Sequence, residues 1–199
     1  MYESSKSVFQ KVRDARYATR YLVGDGIDIG AGADPIGLYF EFFPLMSSCR
    51  SWDVEDGDAQ FMSTIADNTF DFVHSSHCLE HMQDMGVALD NWVRILKPGG
   101  HLVCLVPDED LYEQGVFPSA FNPDHKHTLT IYKKQSWSNA SVNLFDLISR
   151  LNRPVEVKKI ELLDSTYRYK FNEAFNHTRF DQTMTPVGEC AIEFVLRKL

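Results

Sequence analysis

The sequence lacks the features that mark several large classes of protein. Its four cysteines, Cys49, Cys78, Cys104 and Cys190, form no CxxC pair, so neither a zinc framework nor a disulfide scaffold is indicated. No apolar run approaches the roughly 18 residues of a membrane helix, and residues 1–20 contain no apolar core of a signal peptide. Reduced cysteines without an export signal predict a cytoplasmic protein.

Basic residues are also few. Lysine and arginine number 20 against 28 aspartates and glutamates, for a formal charge of -8, and no basic cluster provides the patch that a phosphate backbone needs. We therefore expect a small-molecule partner rather than nucleic acid or membrane. The chain has enough hydrophobic residues to form a core, since they make up 44% of its 199 residues. A single domain over 1–199 is predicted.

Strand-like and helix-like segments alternate along the chain. The patterns predict strands at 26–30, 48–54, 70–74, 101–107, 155–163 and 189–197. They predict helices at 6–22, 84–96 and 138–150, with a stop at "KPGG" (97–100). Such alternation with short turns is typical of a parallel sheet flanked by helices, so the predicted fold class is α/β.

A carboxylate, two glycines and an Asp-Pro pair occur together in "GDGIDIGAGADPIG" (24–37). This stretch ends the first predicted strand, where α/β sheets bind ligands. Gly30 and Gly32 let the backbone approach a ligand, although such turns also occur merely to close a bend. Asp28 would repel a pyrophosphate, and Pro35 replaces the third glycine of the dinucleotide fingerprint. Asp28 suits a ligand with a positive amino group.

More acids follow the second strand, in "DVEDGD" (53–58). Asp53 comes first after the strand, where a carboxylate can accept hydrogen bonds from both hydroxyls of a ribose. Glu55 competes for this role, and a solvated surface acid is the other interpretation. Asp58 and its small neighbour Ala59 either face an adenine amino group or form a polar turn.

Four motifs in order, "IDIGAGADP", "WDVEDGDAQ", "FDFVHSSHCLEHMQD" and "ILKPGGHLVCLVPD", resemble those of class I S-adenosylmethionine-dependent methyltransferases over residues 24–108. The Asp-Pro loop is similar to that of small-molecule members from bacterial sugar and cell-surface pathways. The resemblance implies a Rossmann-like, doubly wound sheet of seven strands, with helices on both faces and an antiparallel last strand matched by "GECAIEFVLRKL". One departure is Asp34, where the family loop often has a third glycine.

The resemblance also implies S-adenosyl-L-methionine as the cofactor and assigns residues to it. Residues around the methionine part are Asp28, Gly30 and Gly32; Asp53 takes the ribose, and Asp58 and Ala59 contact adenine. Residues after the family's fourth strand, among them His74, Ser75 and His77, line the sulfonium side. The chain then divides into a helical segment 1–23, a cofactor-binding half 24–108 and an acceptor-side half 109–199 with a loop insertion at 164–188.

A sulfonium methyl is already activated, so the protein mainly positions the nucleophile, and a base helps only with a hydroxyl or a protonated amine. The loop "NPDHKHTLT" brings Asp124, His125 and His127 together. Our hypothesis makes His125 the base, supported by Asp124 or His127; two metal ligands or a solvated loop are the alternatives. A metal is the least favoured, because no third and fourth ligand has an obvious spacing, and His81 is interpreted as a packing histidine.

These features predict methyl transfer to an O or N atom of a small polar acceptor, such as a sugar or nucleotide-sugar. No Asn/Asp-Pro-Pro-aromatic motif follows the fourth strand, which disfavours nucleic-acid amino groups. Two alternatives stay open. A non-catalytic module would bind the cofactor without turnover, and an NAD-dependent oxidoreductase is disfavoured by Asp28 and the missing glycine.

Overall fold

The structure is a computed structural model that describes residues 3–199. Its main strands are β1 (Gly24–Ile29), β2 (Met46–Trp52), β3 (Phe70–Ser76), β4 (Leu96–Pro107), β7 (Val155–Leu163) and β8 (Ala191–Lys198). They form one sheet in the order β2-β1-β3-β4-β8-β7. A separate parallel pair consists of β5 (Thr128–Thr130) and β6 (Ser141–Asn143).

Strand directions confirm the predicted class. β1 pairs in parallel with β2 and β3, and β3 pairs in parallel with β4, whereas β8 runs antiparallel to both β4 and β7. Among residues 3–199 the main sheet has six strands instead of the seven expected. The segment between β2 and β3 contains the short 3₁₀ turn Val54–Asp56 and loops, which leaves no helix-and-strand unit to extend the β2 edge.

Helices are shorter than the sequence pattern suggests. The α-helices are α1 (Glu3–Lys11), α2 (Met85–Ile95), α3 (Leu144–Ser149) and α4 (Phe171–Ala174), with further helical turns at Tyr17–Tyr21, Ile36–Phe42, Leu79–His81, Glu109–Glu113 and Gln182–Met184. The helix predicted over 6–22 is thus α1 followed by a separate turn. The Asp84 side chain caps α2 by accepting from the Val87 N–H at 3.0 Å. None of these helices is long and apolar enough to cross a membrane.

Both faces of the sheet are covered by packed side chains. Alternating residues of a strand point to opposite faces. Leu102 and Cys104 belong to the core that contains Trp92 of α2, whereas Val103 and Leu105 belong to the core formed with Tyr17, Ile36 and their neighbours. Because the parallel strands β1, β2 and β3 end at one edge, the segments after Ile29, Trp52 and Ser76 meet there.

Candidate functional site

The two glycines after β1 are required for different reasons. Both adopt left-handed backbone angles, with φ of +74° at Gly30 and +52° at Gly32. A Cβ added at Gly30 would lie 2.6 Å from the Cβ of Cys78, so this glycine permits close packing. A Cβ added at Gly32 would meet nothing within 4 Å. The turn therefore closes a bend at Gly30 and leaves open space beside Gly32 that a ligand can fill.

A cavity of about 580 Å³ opens beside this turn. The residues after β2 form one wall, including Trp52, Asp53, Asp58 and Ala59, and those after β3 form the other, including His77, Cys78, His81 and Met82. Its size is within the range of about 300–1,000 Å³ typical of small-molecule sites.

Asp53 lies at the point where β2 meets the glycine turn. Its Oδ2 accepts from the Gly32 N–H at 2.9 Å, and its Oδ1 accepts from the Val54 N–H at 2.8 Å. Asp53 lines the 580 Å³ cavity, which we call the larger cavity. Glu55 is exposed and does not line this cavity. Asp58 is also exposed; it borders the cavity, and its Oδ1 accepts from the Gln60 N–H at 2.8 Å.

A second cavity of about 180 Å³ adjoins the first, since Gly30 and His77 line both. Three carboxylates border it, from Glu3, Asp28 and Asp34. Such a concentration of negative charge favours a positively charged ligand group.

Asp28 itself is held by its neighbours. It is buried, its Oδ1 lies 2.7 Å from His74 Nδ1, and its Oδ2 accepts from the Ile36 N–H at 2.6 Å. The negative charge of Asp28 can still act on a ligand in the smaller cavity, although both oxygens already have partners.

Of the residues His74 to His77, the structure brings Ser76 and His77 to the cavities. β3 continues to Ser76, beyond the predicted end at His74, so His74 and Ser75 lie inside the strand. Both are fully buried; His74 pairs with Asp28, and the Ser75 hydroxyl donates to the Ile29 carbonyl at 2.9 Å. Neither belongs to the lining of the two cavities. Their assignment to the sulfonium side is corrected to a structural position.

Next to the larger cavity lies a group of side chains that we call the histidine cluster: His77, Glu80, His81, Glu113 and His125. Glu80 is fully buried, and its Oε1 lies 3.6 Å from His77 Nδ1, 3.8 Å from His125 Nε2 and 4.0 Å from His81 Nε2. Burial would raise the pKa of Glu80, but His77 and the charges of His125 and His81 outweigh it and lower that pKa. Burial would lower the pKa of His77, but Glu80 and Glu3 raise it.

The predicted base, His125, has other partners than expected. Its side chain is buried, and its Nδ1 lies 2.6 Å from Glu113 Oε1. Asp124 is exposed, and its backbone carbonyl lies 3.1 Å from His81 Nδ1. His127 Nε2 lies 3.2 Å from the Met82 carbonyl. The prediction that Asp124 or His127 supports His125 is therefore corrected: carboxylates from two other segments, Glu113 and Glu80, flank its ring.

Several residues near the cavities were missed by the sequence analysis. Glu3 and Ser4 of α1 and Asn122 line the smaller cavity, and no sequence signal placed them there. Glu80 had a signal, since a glutamate stands between Leu79 and His81 in the apolar stretch "CLEHM". A charged residue in such a stretch is buried only with partners.

Comparison with known proteins agrees with this geometry. The methyltransferase domain family matches residues 11–164. An uncharacterized methyltransferase of Schizosaccharomyces pombe is 40% identical over 58 residues, which are 29% of this chain and 20% of that protein. The chain therefore matches only about a fifth of the length of this curated relative.

Solved structures show the same fold at low identity. A SAM-dependent methyltransferase from Archaeoglobus fulgidus has a TM-score of 0.57 and 15% identity, with 96% of this chain and 94% of that chain covered. A chain from the complex between the Haloferax volcanii Trm112 methyltransferase activator and a methyltransferase has a TM-score of 0.55 and 14% identity, with 98% and 90% covered. Since the family match extends over most of the chain, this protein belongs to the methyltransferase domain family.

Proposed function

We propose that this protein transfers a methyl group from S-adenosylmethionine to an O or N atom of a small polar molecule. The observation that carries the proposal is the pair of adjoining cavities that share Gly30 and His77 at the carboxyl ends of β1 and β3. The larger cavity offers apolar walls and the Asp53 carboxylate, and the smaller one offers three acids. A ligand with an adenosine part and a charged amino-acid part matches this division.

The residues present fit the cofactor. We assign the ribose hydroxyls to the Asp53 carboxylate, which lines the larger cavity, and Asp58 and Ala59 border the space proposed for adenine. The open space beside Gly32 accommodates the methionine part, whose amino group would be attracted by Glu3, Asp28 and Asp34. Bound there, the cofactor supplies a methyl group on a sulfonium, which is already activated for transfer.

The chain's own contribution is to position the acceptor and exclude water. His77 lies where the two cavities meet, so we assign direct contact with the acceptor to this histidine. His125 packs against His81 with ring centroids 5.0 Å apart but lines neither cavity, so we do not propose it as the base that contacts the acceptor. Imidazole nitrogens both donate and accept, which suits an acceptor rich in hydroxyls, such as a sugar or nucleotide-sugar.

Calorimetric titration with S-adenosylmethionine and S-adenosylhomocysteine tests the cofactor part of the proposal. We expect micromolar binding by the wild type and about 10- to 100-fold weaker binding by Asp53→Asn, which loses charge-assisted hydrogen bonds worth about 1.5–3 kcal/mol. Glu55→Gln is the matched control, since this neighbouring acid is exposed and lies outside the cavity lining. Its affinity should equal that of the wild type.

Failure of the wild type to bind either compound would contradict the proposal. If both bind, a panel of sugars and nucleotide-sugars tests turnover by the release of S-adenosylhomocysteine. One structural neighbour was solved with an activator protein, so the panel is also assayed with a cell extract as a source of partners. Binding without turnover across the panel would instead favour a non-catalytic module.

A further inference from the structure

The histidine cluster contains three donor atoms that converge. One ligand atom from each of Glu80, His81 and His125 lies within 4.8 Å of the other two. Glu80 and His125 are buried, and His81 is partly exposed where it lines the larger cavity. These side chains come from two segments, the residues after β3 and the loop before β5, which a hydrogen bond from the Lys126 N–H to the Glu80 carbonyl holds together at 3.0 Å.

The opposite nitrogen of each histidine is already engaged. His81 Nδ1 lies 3.1 Å from the Asp124 carbonyl, and His125 Nδ1 lies 2.6 Å from a Glu113 carboxylate oxygen. In each ring the other nitrogen, Nε2, faces Glu80 Oε1, at 4.0 Å for His81 and 3.8 Å for His125. Metal-binding histidines are oriented in this way, by a carbonyl or carboxylate on the nitrogen that does not bind the metal.

Glu80 provides an independent observation. It is fully buried, yet neither of its carboxylate oxygens has a hydrogen-bond partner. A buried polar group without a partner is destabilising, and a carboxylate more so than a neutral group. Elsewhere in this fold Asp28 and His74 approach to 2.7 Å, whereas the histidines around Glu80 stay 3.6–4.0 Å from it. Ligands about 2.1 Å from a shared cation are themselves separated by roughly 3–4 Å.

We propose that Glu80, His81 and His125 bind one divalent transition-metal cation, with Zn²⁺ as the representative ion. Two imidazoles and one carboxylate select such cations over Mg²⁺ and Ca²⁺, which prefer oxygen ligands. Three protein ligands leave a coordination position open, and because His81 lines the larger cavity the cation lies at the border of the proposed cofactor site. Sequence spacing disfavoured a metal, because spacing alone does not connect residues 80 and 81 with residue 125.

Zinc titration of the chelator-treated protein, followed by calorimetry and by metal analysis after dialysis, tests this site without cofactor or acceptor. We expect one Zn²⁺ per chain with micromolar or tighter affinity, no displacement by millimolar Mg²⁺, and at least tenfold weaker binding by Glu80→Gln and by His81→Ala. Glu113 orients His125 without touching the cation, so Glu113→Gln should weaken zinc binding about tenfold. Matched controls are His127→Ala, from the same loop, and His177→Ala, an exposed histidine; both should bind as the wild type does.

Absence of stoichiometric zinc in the wild type would overturn the inference, as would unchanged affinity in both Glu80→Gln and His81→Ala. Circular dichroism melting checks that each variant is folded. Should Glu80→Gln fail to fold, His81→Ala decides the question, because His81 is partly exposed and its removal leaves no buried charge. Because no cofactor is present, a negative result here leaves the methyltransferase proposal standing, and failure to bind S-adenosylmethionine leaves the zinc result standing.

Discussion

Glu193 and Glu80 are both buried glutamates, but their surroundings differ in kind. Glu193 on β8 forms ion pairs at 2.9 Å with Lys11 of α1 and Lys159 of β7, and the Tyr17 hydroxyl donates to it. Glu80 faces imidazoles at 3.6–4.0 Å and has no hydrogen-bond partner. The first site is closed by its own side chains, and the second leaves space between them.

The difference indicates that the buried charge of Glu193 stabilises the fold, whereas that of Glu80 takes part in ligand binding. A lysine keeps its proton up to about pH 10, so the Glu193 site carries fixed charges at neutral pH. An imidazole, by contrast, can bind a cation through a ring nitrogen. The Glu193 site joins α1 to the sheet, whereas the Glu80 site borders the larger cavity through His77 and His81. We therefore expect stability to depend on the first and ligand binding on the second.

Removing the charge of Glu193 should give the largest effect. Glu193→Gln leaves Lys11 without its buried counterion, and breaking a buried ion pair from one side costs about 3–5 kcal/mol. Urea denaturation at pH 7 measures this free energy of unfolding. Glu161→Gln is the matched control, because exposed Glu161 pairs with the same Lys159 at 2.6 Å and should contribute about 1 kcal/mol or less. Equal losses in both variants would contradict a special role for the buried site.

Acid should remove the same stabilisation in the wild type. Burial would raise the pKa of Glu193, but Lys11 and Lys159 outweigh it and lower that pKa from 4.5 to about 2. A carboxyl whose pKa is lower in the folded state stabilises the fold above pH 4.5. That stabilisation, about 3 kcal/mol, should be lost as the pH falls from about 4.5 to about 2. Denaturation curves across this range should converge for the wild type and Glu193→Gln; a constant difference between them would refute the assignment.

Glu189 should show the opposite dependence on pH. Its carboxylate oxygens are buried without hydrogen-bond partners, and burial raises its pKa from 4.5 to about 7. A carboxyl with a raised folded pKa stabilises the fold below pH 4.5, and the stabilisation is lost as the pH rises through 7. Glu189→Gln removes that loss, so we expect it to gain about 1–2 kcal/mol at pH 8 and nothing at pH 4. Denaturation of the wild type and Glu189→Gln at pH 8 and at pH 4 measures both differences in stability. A variant less stable than the wild type at pH 8 would show that Glu189 has a charged partner.

The sequence predicted those parts of the molecule that depend on local pattern. Apolar alternation and turn residues located the main strands, and the resemblance to class I methyltransferases implied that the last strand, β8, is antiparallel. Asp53 follows the last residue of β2 directly, so its position at the cavity depends on a single strand end. Features fixed by neighbours in the chain are the ones that sequence reasoning can reach.

Two kinds of error had physical causes. β3 is two residues longer than predicted, so His74 and Ser75 lie inside the sheet. The end of a strand depends on pairing with its neighbours, here β1 and β4. Neighbours in a loop need not share an environment: Asp124 is exposed, while the next side chain, that of His125, is buried. The partners of His125 lie 45 and 12 positions away, at Glu80 and Glu113, and only the folded chain brings them together.

Glu80→Gln gives the smallest expected effect and the sharpest test of the comparison. In EDTA we expect its free energy of unfolding to fall by about 1 kcal/mol or less, because the Glu80 carboxylate has no hydrogen-bond partner to lose. Adding zinc should then stabilise the wild type and not the variant, since a cation that binds only the folded state raises its stability. Thermal melting with EDTA and with zinc measures both. A loss in EDTA as large as that of Glu193→Gln would mean that Glu80 is a structural charge, and the contrast between the two buried glutamates would no longer hold.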